Sequence, residues 1–452
     1  MSIADKRTQI RSMVPKEATT SLLAPTALID QAIVSGTNFL AFALLGRMCG
    51  AAELGVYSIT FSLHILSLVA SQSLVVTPYV NLVRGRRGRS LAGFTGNAIV
   101  LVAAIGLCSA GLAGVVGFAL QVAGETGLAQ ACYALSLALP FTAVREFIRR
   151  YQYARLHVAS ALCLDAVASA LHLAALLMLA AADAISASTA WLGAGFSSAV
   201  VAGAYLTVRR GNFRVEQPRI GLAAIRYWRF GKWVFATEAA TPLRSQFLNW
   251  LLFATGGVAA AGLFAACMSV TRLMKPFFMA ATNISEPLLV RAYRDGGVRL
   301  LRRRVHAITL LMGVTMLPLC LVIHLQGSNI MSSIFGRQYD ISGGALSLLV
   351  SGMFISLASV PATLGMRTLR RPELAFTSRI SGLAACFAIA IALAPSLGVN
   401  GVAIAILAGS SLSAAVRWNI FRRLTVPAST EADPEQREVV PFVESPIAEL
   451  QK

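Results

Sequence analysis

The chain reads as an all-α polytopic membrane protein of about 12 transmembrane helices, in two six-helix lobes related by an internal repeat. Three observations predict this: composition, a duplicated stretch, and the alternation of charge between apolar segments. Hydrophobic residues make up 56% of the 452 and charged residues only 13%, with a mean hydropathy of +0.68. A soluble chain carries roughly a quarter charged residues, whereas each membrane crossing needs about 20 mostly apolar ones. Residues 30–85 overlay on 238–294 at an offset close to 208, with Asp30 on Glu238 and Asn38-Phe39-Leu40 on Gln246-Phe247-Leu248. After a one-residue slip, Leu54-Gly55-Val56-Tyr57 falls on Ala261-Gly262-Leu263-Phe264, and Pro78 falls on Pro287.

Taken in order, residues 1–24 hold Lys6, Arg7, Arg11 and Lys16 but no apolar run before Leu22. They read as a cytoplasmic arm and not as a cleavable signal. The first lobe, 25–208, contains apolar spans at 25–46, 56–80, 93–118, 127–148, 159–181 and 186–207. A basic linker at 209–229 follows. The second lobe, 230–424, contains spans at 230–254, 258–285, 305–325, 341–366, 374–394 and 398–420. The last stretch, 425–452, is rich in acids and proline and reads as a disordered cytoplasmic tail.

Arginine clusters follow every second span. They include Arg84, Arg86, Arg87 and Arg89; Arg149, Arg150 and Arg155; Arg209, Arg210 and Arg214; Arg302–Arg304; Arg367, Arg370 and Arg371; and Arg422 and Arg423. The loops between them are nearly free of positive charge, apart from Arg47 and Arg337. This is the positive-inside pattern, so both termini are expected in the cytoplasm. It also accounts for the net charge of +19 without nucleic acid as a partner. The seven cysteines are scattered, mostly in apolar segments and with no CxxC pair, so they read as small apolar filler. No metal site, phosphate loop or cofactor motif is visible.

Charged groups inside a span cost about 2.5–3.5 kcal/mol each and so require a reason. In the eighth span Arg272, Lys275, Asn283 and Glu286 recur on one helical stripe. The seventh carries Glu238, Thr241, Ser245 and Asn249, with Arg244 at its edge and a kinking Pro242. The first adds Asp30, Gln31, Ser35 and Asn38, and the second Tyr57, Thr60, His64, Ser67 and Ser71. Duplicated helices with polar stripes build a shared cavity between lobes, the arrangement of secondary transporters. Cations one turn apart in that cavity suit a phosphate or pyrophosphate, which arginine grips with a fork and lysine as a point charge. The competing reading pairs the charges internally, Glu286 with Arg272 or Lys275 and Glu238 with Arg244. Asp30 and Glu238 are also placed for an interfacial role in reach of water. Asp165 and His172, seven apart in the fifth span, suit a proton path or a helix–helix hydrogen bond. Arg145 and Glu146 read as an interfacial pair, and Arg47 as a guide for anions or a snorkelling cation.

The stretch Ser35-Gly-Thr-Asn-Phe-Leu, Leu44-Leu45-Gly46-Arg47 and Ala51-Ala52-Glu53-Leu54-Gly55-Val56-Tyr57 resembles the opening of the polysaccharide-type flippases. These belong to the multidrug/oligosaccharidyl-lipid/polysaccharide exporter superfamily. The repeat at Gly256–Phe264 and the basic mid-linker extend the likeness over about 400 residues. The resemblance implies a V-shaped pair of lobes in the bacterial inner membrane that alternates between inward- and outward-open states. It implies an undecaprenyl-pyrophosphate-linked oligosaccharide as cargo, for exopolysaccharide, capsule or O-antigen (lipopolysaccharide) synthesis. Membrane lipids and a polysaccharide polymerase or export complex are the further partners it implies. The resemblance assigns the pyrophosphate to Arg272 and Lys275. Arg244, His64, Asn38, Asn249 and Asn283 are the further cavity candidates for pyrophosphate and sugar, and Asp30, Asp165 and Glu238 are the acids that could couple an ion, as a cation extruder requires. The lipid II flippase of the same superfamily carries arginines in its first two helices, where this chain offers only Arg47 and His64. A cation-coupled multidrug extruder is the alternative within the superfamily. A membrane-embedded polymerase or ligase would need a large outer loop, and the longest, 326–344, is short. Transport breaks no bond, so no enzymatic activity is expected.

Overall fold

The computed structural model describes residues 17–83, 88–215 and 220–425. Side chains are described from Pro25 onward, except at positions 237, 240, 241, 244, 275–281, 283 and 372. The expected tail and most of the expected N-terminal arm lie outside these residues. The described chain is helical: α1 (Glu17–Ser71), a π-helical turn (Gln72–Val76), α2 (Thr77–Leu82), α3 (Gly88–Val122), α4 (Thr126–Ala154), α5 (Val158–Ala181) and α6 (Ala187–Val208) form the first lobe. Then come α7 (Ile220–Glu238), α8 (Ala240–Arg272), α9 (Lys275–Phe335), α10 (Gly343–Ala358), α11 (Val360–Thr368) and α12 (Pro372–Thr425).

Nine stretches among the described residues are long and apolar enough to cross a membrane. Glycine turns inside α1 at Gly50, α8 at Gly257, α9 at Gly296–Gly297 and α12 at Gly398 divide them further, giving the twelve-span order the charge pattern predicts. Gly50 (φ 85°) and Gly257 (φ 74°) occupy a backbone region that side chains with a Cβ resist. They are 207 positions apart, so the duplication seen in the sequence is a duplication of the turn itself. Large apolar side chains such as Leu107, Phe118, Met178 and Leu310 point outward, as on a surface solvated by lipid.

The two lobes meet at the end carrying these turns. A Cβ at Gly55 would lie 1.8 Å from the Val258 carbonyl oxygen, and one at Gly262 would lie 1.8 Å from the Ala51 carbonyl oxygen. The pairs are equivalent under the repeat, Ala51 with Val258 and Gly55 with Gly262, so the contact is self-complementary, as at a two-fold interface. Arg47 donates to the Ser333 carbonyl at 2.6 Å and Gln338 to the Gly46 carbonyl at 3.2 Å. Arg47 thus ties the lobes through one of its nitrogens while remaining exposed.

Several boundaries differ from expectation. Helix α9 continues to Phe335 and a 3-10 segment covers 337–342, so the expected outer loop at 326–344 is mostly helical. The expected linker is partly helix α7, which docks on the first lobe. Tyr227 is buried 5.5 Å from Phe94, and Gly231 packs on Leu74 of the π-helical turn. Trp228, Phe230 and Trp233 remain exposed beside Arg226, Arg229 and Lys232, a composition suited to a membrane interface. The helix carrying Arg272 and Lys275 is interrupted at Leu273–Met274, because Pro276 has no N–H for the carbonyl of Arg272.

Candidate functional site

Two cavities lie on the arginine-rich side of the lobe contact. One, of about 320 Å³, is between the lobes, with Gln31, Asn38, Phe42 and Phe61 on one wall and Ser245, Gln246, Ser269 and Arg272 on the other. The second, of about 300 Å³, is inside the first lobe. Gln31, Asn38, Phe61 and Ile65 border both, so the two spaces share a wall.

Arg272, the last residue of α8, brings a cation into the interlobe cavity. Its guanidinium stacks 5.7 Å from the Phe42 ring centre and 5.6 Å from that of Phe61, both on α1 of the opposite lobe. Such contacts contribute about 0.5–2 kcal/mol and hold the fork in place without neutralising it. The expected alternative pairing with Glu286 is not formed: Glu286 is exposed, and Arg272 makes no salt bridge among the described side chains. The side chains of Lys275, Arg244 and Asn283 lie outside the described ones. Asn249 is buried and donates across the lobes to the Ser58 carbonyl at 3.2 Å and its hydroxyl at 3.3 Å. Its NH2 therefore joins the lobes, while its Oδ1 has no partner among the described residues and the residue lines a small space shared with Ser245, Gln246 and Arg272.

The first-lobe cavity is lined by His64, His172, Arg145, Glu146, Arg149, Arg150 and Trp191. His64 packs against Trp191 at 5.2 Å and Phe61 at 5.9 Å. The Trp191 indole N–H donates to the Thr60 hydroxyl at 2.8 Å. Behind this wall is a buried ion network. Arg149 Nη2 donates to Asp30 Oδ2 at 2.9 Å, its Nε meets Asp165, and its Nη1 reaches Glu146 at 3.4 Å. Arg145 reaches Asp165 at 3.4 Å, Arg150 pairs with Glu146 at 2.9 Å, and the Tyr153 hydroxyl donates to Asp30 at 2.5 Å. Three guanidiniums face three carboxylates, so the network is internally balanced, as buried charges require.

This corrects several expectations. Asp30 and Asp165 are fully buried and salt-bridged, so Asp30 is not an interfacial carboxylate reaching water, and Asp165 is paired with arginines while His172 faces the cavity. Arg145 and Glu146 do not pair with each other. Glu238, the repeat counterpart of Asp30, is exposed at the end of α7, so the duplication does not extend to this chemistry. The charge pattern places Arg149 in a cytoplasmic cluster because it follows the fourth apolar span. Helix α4 runs on to Ala154, and the i, i+4 spacing of Arg145 and Arg149 is the available signal that both point inward. The first lobe therefore offers arginines after all, from α4 and not from the first two spans.

No protein-family model matches the chain, and neither does any curated protein sequence. Solved structures do match in fold. An inward-facing multidrug-resistance MATE family transporter of the MOP superfamily superposes with a TM-score of 0.68 at 13% identity, covering 88% of this chain and 98% of that one. The lipid II flippase MurJ, in an inward closed conformation, gives a TM-score of 0.64 at 12% identity, covering 88% and 87%. The MATE multidrug transporter DinF-BH, solved as a ligand complex, gives a TM-score of 0.60 at 17% identity, covering 91% and 96%. These neighbours are transporters and flippases, and at such identities the likeness is one of architecture. The chain is a multi-pass membrane protein with the V-shaped, two-lobed fold shared by MATE transporters and the MurJ flippase.

Proposed function

We propose that the protein is a flippase that moves undecaprenyl-pyrophosphate-linked oligosaccharide repeat units across the bacterial inner membrane by alternating access. The observation that carries this reading is Arg272, a guanidinium in the interlobe cavity with no carboxylate partner among the described side chains. An uncompensated cation held against two aromatic rings attracts an anion and disfavours a cationic drug. Gln31, Asn38, Ser245 and Gln246 around it suit sugar hydroxyls, while the lipid tail stays in the bilayer. With the arginine-rich end in the cytoplasm, contact at the opposite end makes this the inward-facing state, ready to load from the inner leaflet. Rocking of the lobes about the glycine contact would then expose the cavity to the outer side. Released repeat units would pass to a polymerase or export complex.

The alternative is a cation-coupled multidrug extruder, since two of the three neighbours described are named as multidrug transporters. It needs carboxylates free to exchange ions beside the cargo, whereas Asp30 and Asp165 are each engaged by arginine and Glu238, exposed at the end of α7, is not among the residues lining either cavity. The test is to deplete the protein and analyse the lipids. Accumulation of a complete repeat unit on undecaprenyl pyrophosphate, with loss of surface glycan, is expected. Arg272→Ala should fail to restore export, since a charge-assisted contact is worth about 1.5–3 kcal/mol, or roughly 10- to 150-fold in rate. Normal glycan and lipids in the depleted cells, with new sensitivity to cationic dyes, would move the assignment to the extruder.

A further inference from the structure

A further cavity lies apart from the interlobe space and shares none of its lining residues. It is a groove of about 570 Å³ on the first lobe, at the arginine-rich end, formed where α4, α5 and α6 finish or begin. Its upper rim is polar. Arg155 donates to the Tyr151 hydroxyl at 2.6 Å and lies 5.5 Å from that ring's centre, which holds its guanidinium in one place. Arg209, the residue that ends α6, contributes a second guanidinium, and Asn212 a further polar group. The Tyr205 hydroxyl bonds to Gln152 and lies within electrostatic reach of both arginines. No carboxylate lines the groove among the described residues. Below the rim the walls are apolar and open: Val208 is 79% exposed, Val167 47% and Val200 42%.

Two cations at membrane-interface depth above exposed valines match one molecule at both ends, a phosphate headgroup joined to acyl chains. We propose that this groove binds an anionic glycerophospholipid of the surrounding leaflet, its phosphate between Arg155 and Arg209 and one acyl chain along Val167, Val200 and Val208. Charge complementarity selects the headgroup, since an arginine near an anionic lipid surface contributes about fivefold in affinity. The apolar floor gives the site a preference for a lipid over free phosphate, because each buried methylene adds favourable transfer energy. The bound lipid would brace α4, the helix that carries Arg145 and Arg149. The site stands whatever the cargo of the interlobe cavity.

Cys163 lines the groove and is exposed, whereas Cys108, also exposed, sits on α3 away from it. The test measures alkylation of both thiols in the purified, detergent-solubilised protein while lipid is titrated in, with native mass spectrometry of retained lipid. Dioleoyl-phosphatidylglycerol is expected to protect Cys163 and leave Cys108 unchanged, with phosphatidylcholine far weaker. Arg155→Ala with Arg209→Ala should weaken protection about 25-fold, at about fivefold for each guanidinium. Arg155→Lys with Arg209→Lys keeps the charge and should retain most of it, which separates lost recognition from lost folding. Equal protection by phosphatidylcholine, by glycerophosphoglycerol or inorganic phosphate alone, or an unaltered titration in the double alanine variant would overturn the proposal. So would undecaprenyl phosphate binding in preference to phosphatidylglycerol, which would make the groove a cargo site.

Discussion

Gly55→Ala should pry open the contact on which the two lobes close. The added Cβ would lie 1.8 Å from the Val258 carbonyl oxygen and 2.7 Å from its carbon, whereas ordinary contact begins near 3.4 Å. Both neighbours are backbone, so the helices must part by about 1.5 Å. Overpacking of this kind costs about 1–3 kcal/mol. Because it acts only where the lobes are closed at the turn end, it shifts the equilibrium away from that state by roughly 5- to 150-fold. Gly262→Ala should act alike through the Ala51 carbonyl, and the two together about twice as strongly on the energy scale. The assay is pulsed electron resonance between spin labels at Ala52→Cys and Ala259→Cys, exposed positions one repeat apart, in a background without the exposed Cys108 and Cys163. A longer-distance population should appear in each alanine variant. Gly111→Ala, where a Cβ meets nothing within 4 Å, is the control and should leave the distances alone. An unchanged distance distribution in a folded Gly55→Ala protein would refute the reasoning.

Arg149→Met leaves Asp30 and Asp165 buried without their central partner and should lower stability by about 3–5 kcal/mol in chemical denaturation. Adding Asp30→Asn and Asp165→Asn should recover a large part of that loss, and failure to recover any would mean the network is not the cause. Asn249→Leu removes the amide that bridges to Ser58, so the labelled protein should shift toward the open-ended population by about fivefold, for a loss of about 1 kcal/mol. Thr60→Val strands the Trp191 indole N–H in a buried site and should cost about 1–3 kcal/mol in the same denaturation assay. Tyr227→Ala empties the pocket by which α7 grips the first lobe, and hydrogen exchange should rise across 220–238 while α4 stays protected.

Membrane residence, the twelve-span order and the duplication were legible in the sequence, because hydropathy, charge alternation and a repeated glycine turn are properties of neighbouring residues. The offset that lays Gly55 on Gly262 even marked the two halves of the lobe contact, since a self-complementary interface reuses the same local pattern twice. Arg272 stands out in the sequence as a cation that a lone helix in lipid does not carry without cause, and the structure puts it on the wall of the interlobe cavity. What tertiary structure decided was pairing. Arg149 and Arg150 are adjacent and both follow an apolar span, yet one is buried between two aspartates and the other half-exposed, because the length of α4 and the approach of α1 and α5 set which flank is covered. Asn249 and Asn38 carry the same amide, but the NH2 of Asn249 is engaged across the lobe contact while Asn38 borders both larger cavities. Helix period tells which residues share a face; only the packing of other helices tells whether that face meets water, lipid or another charge.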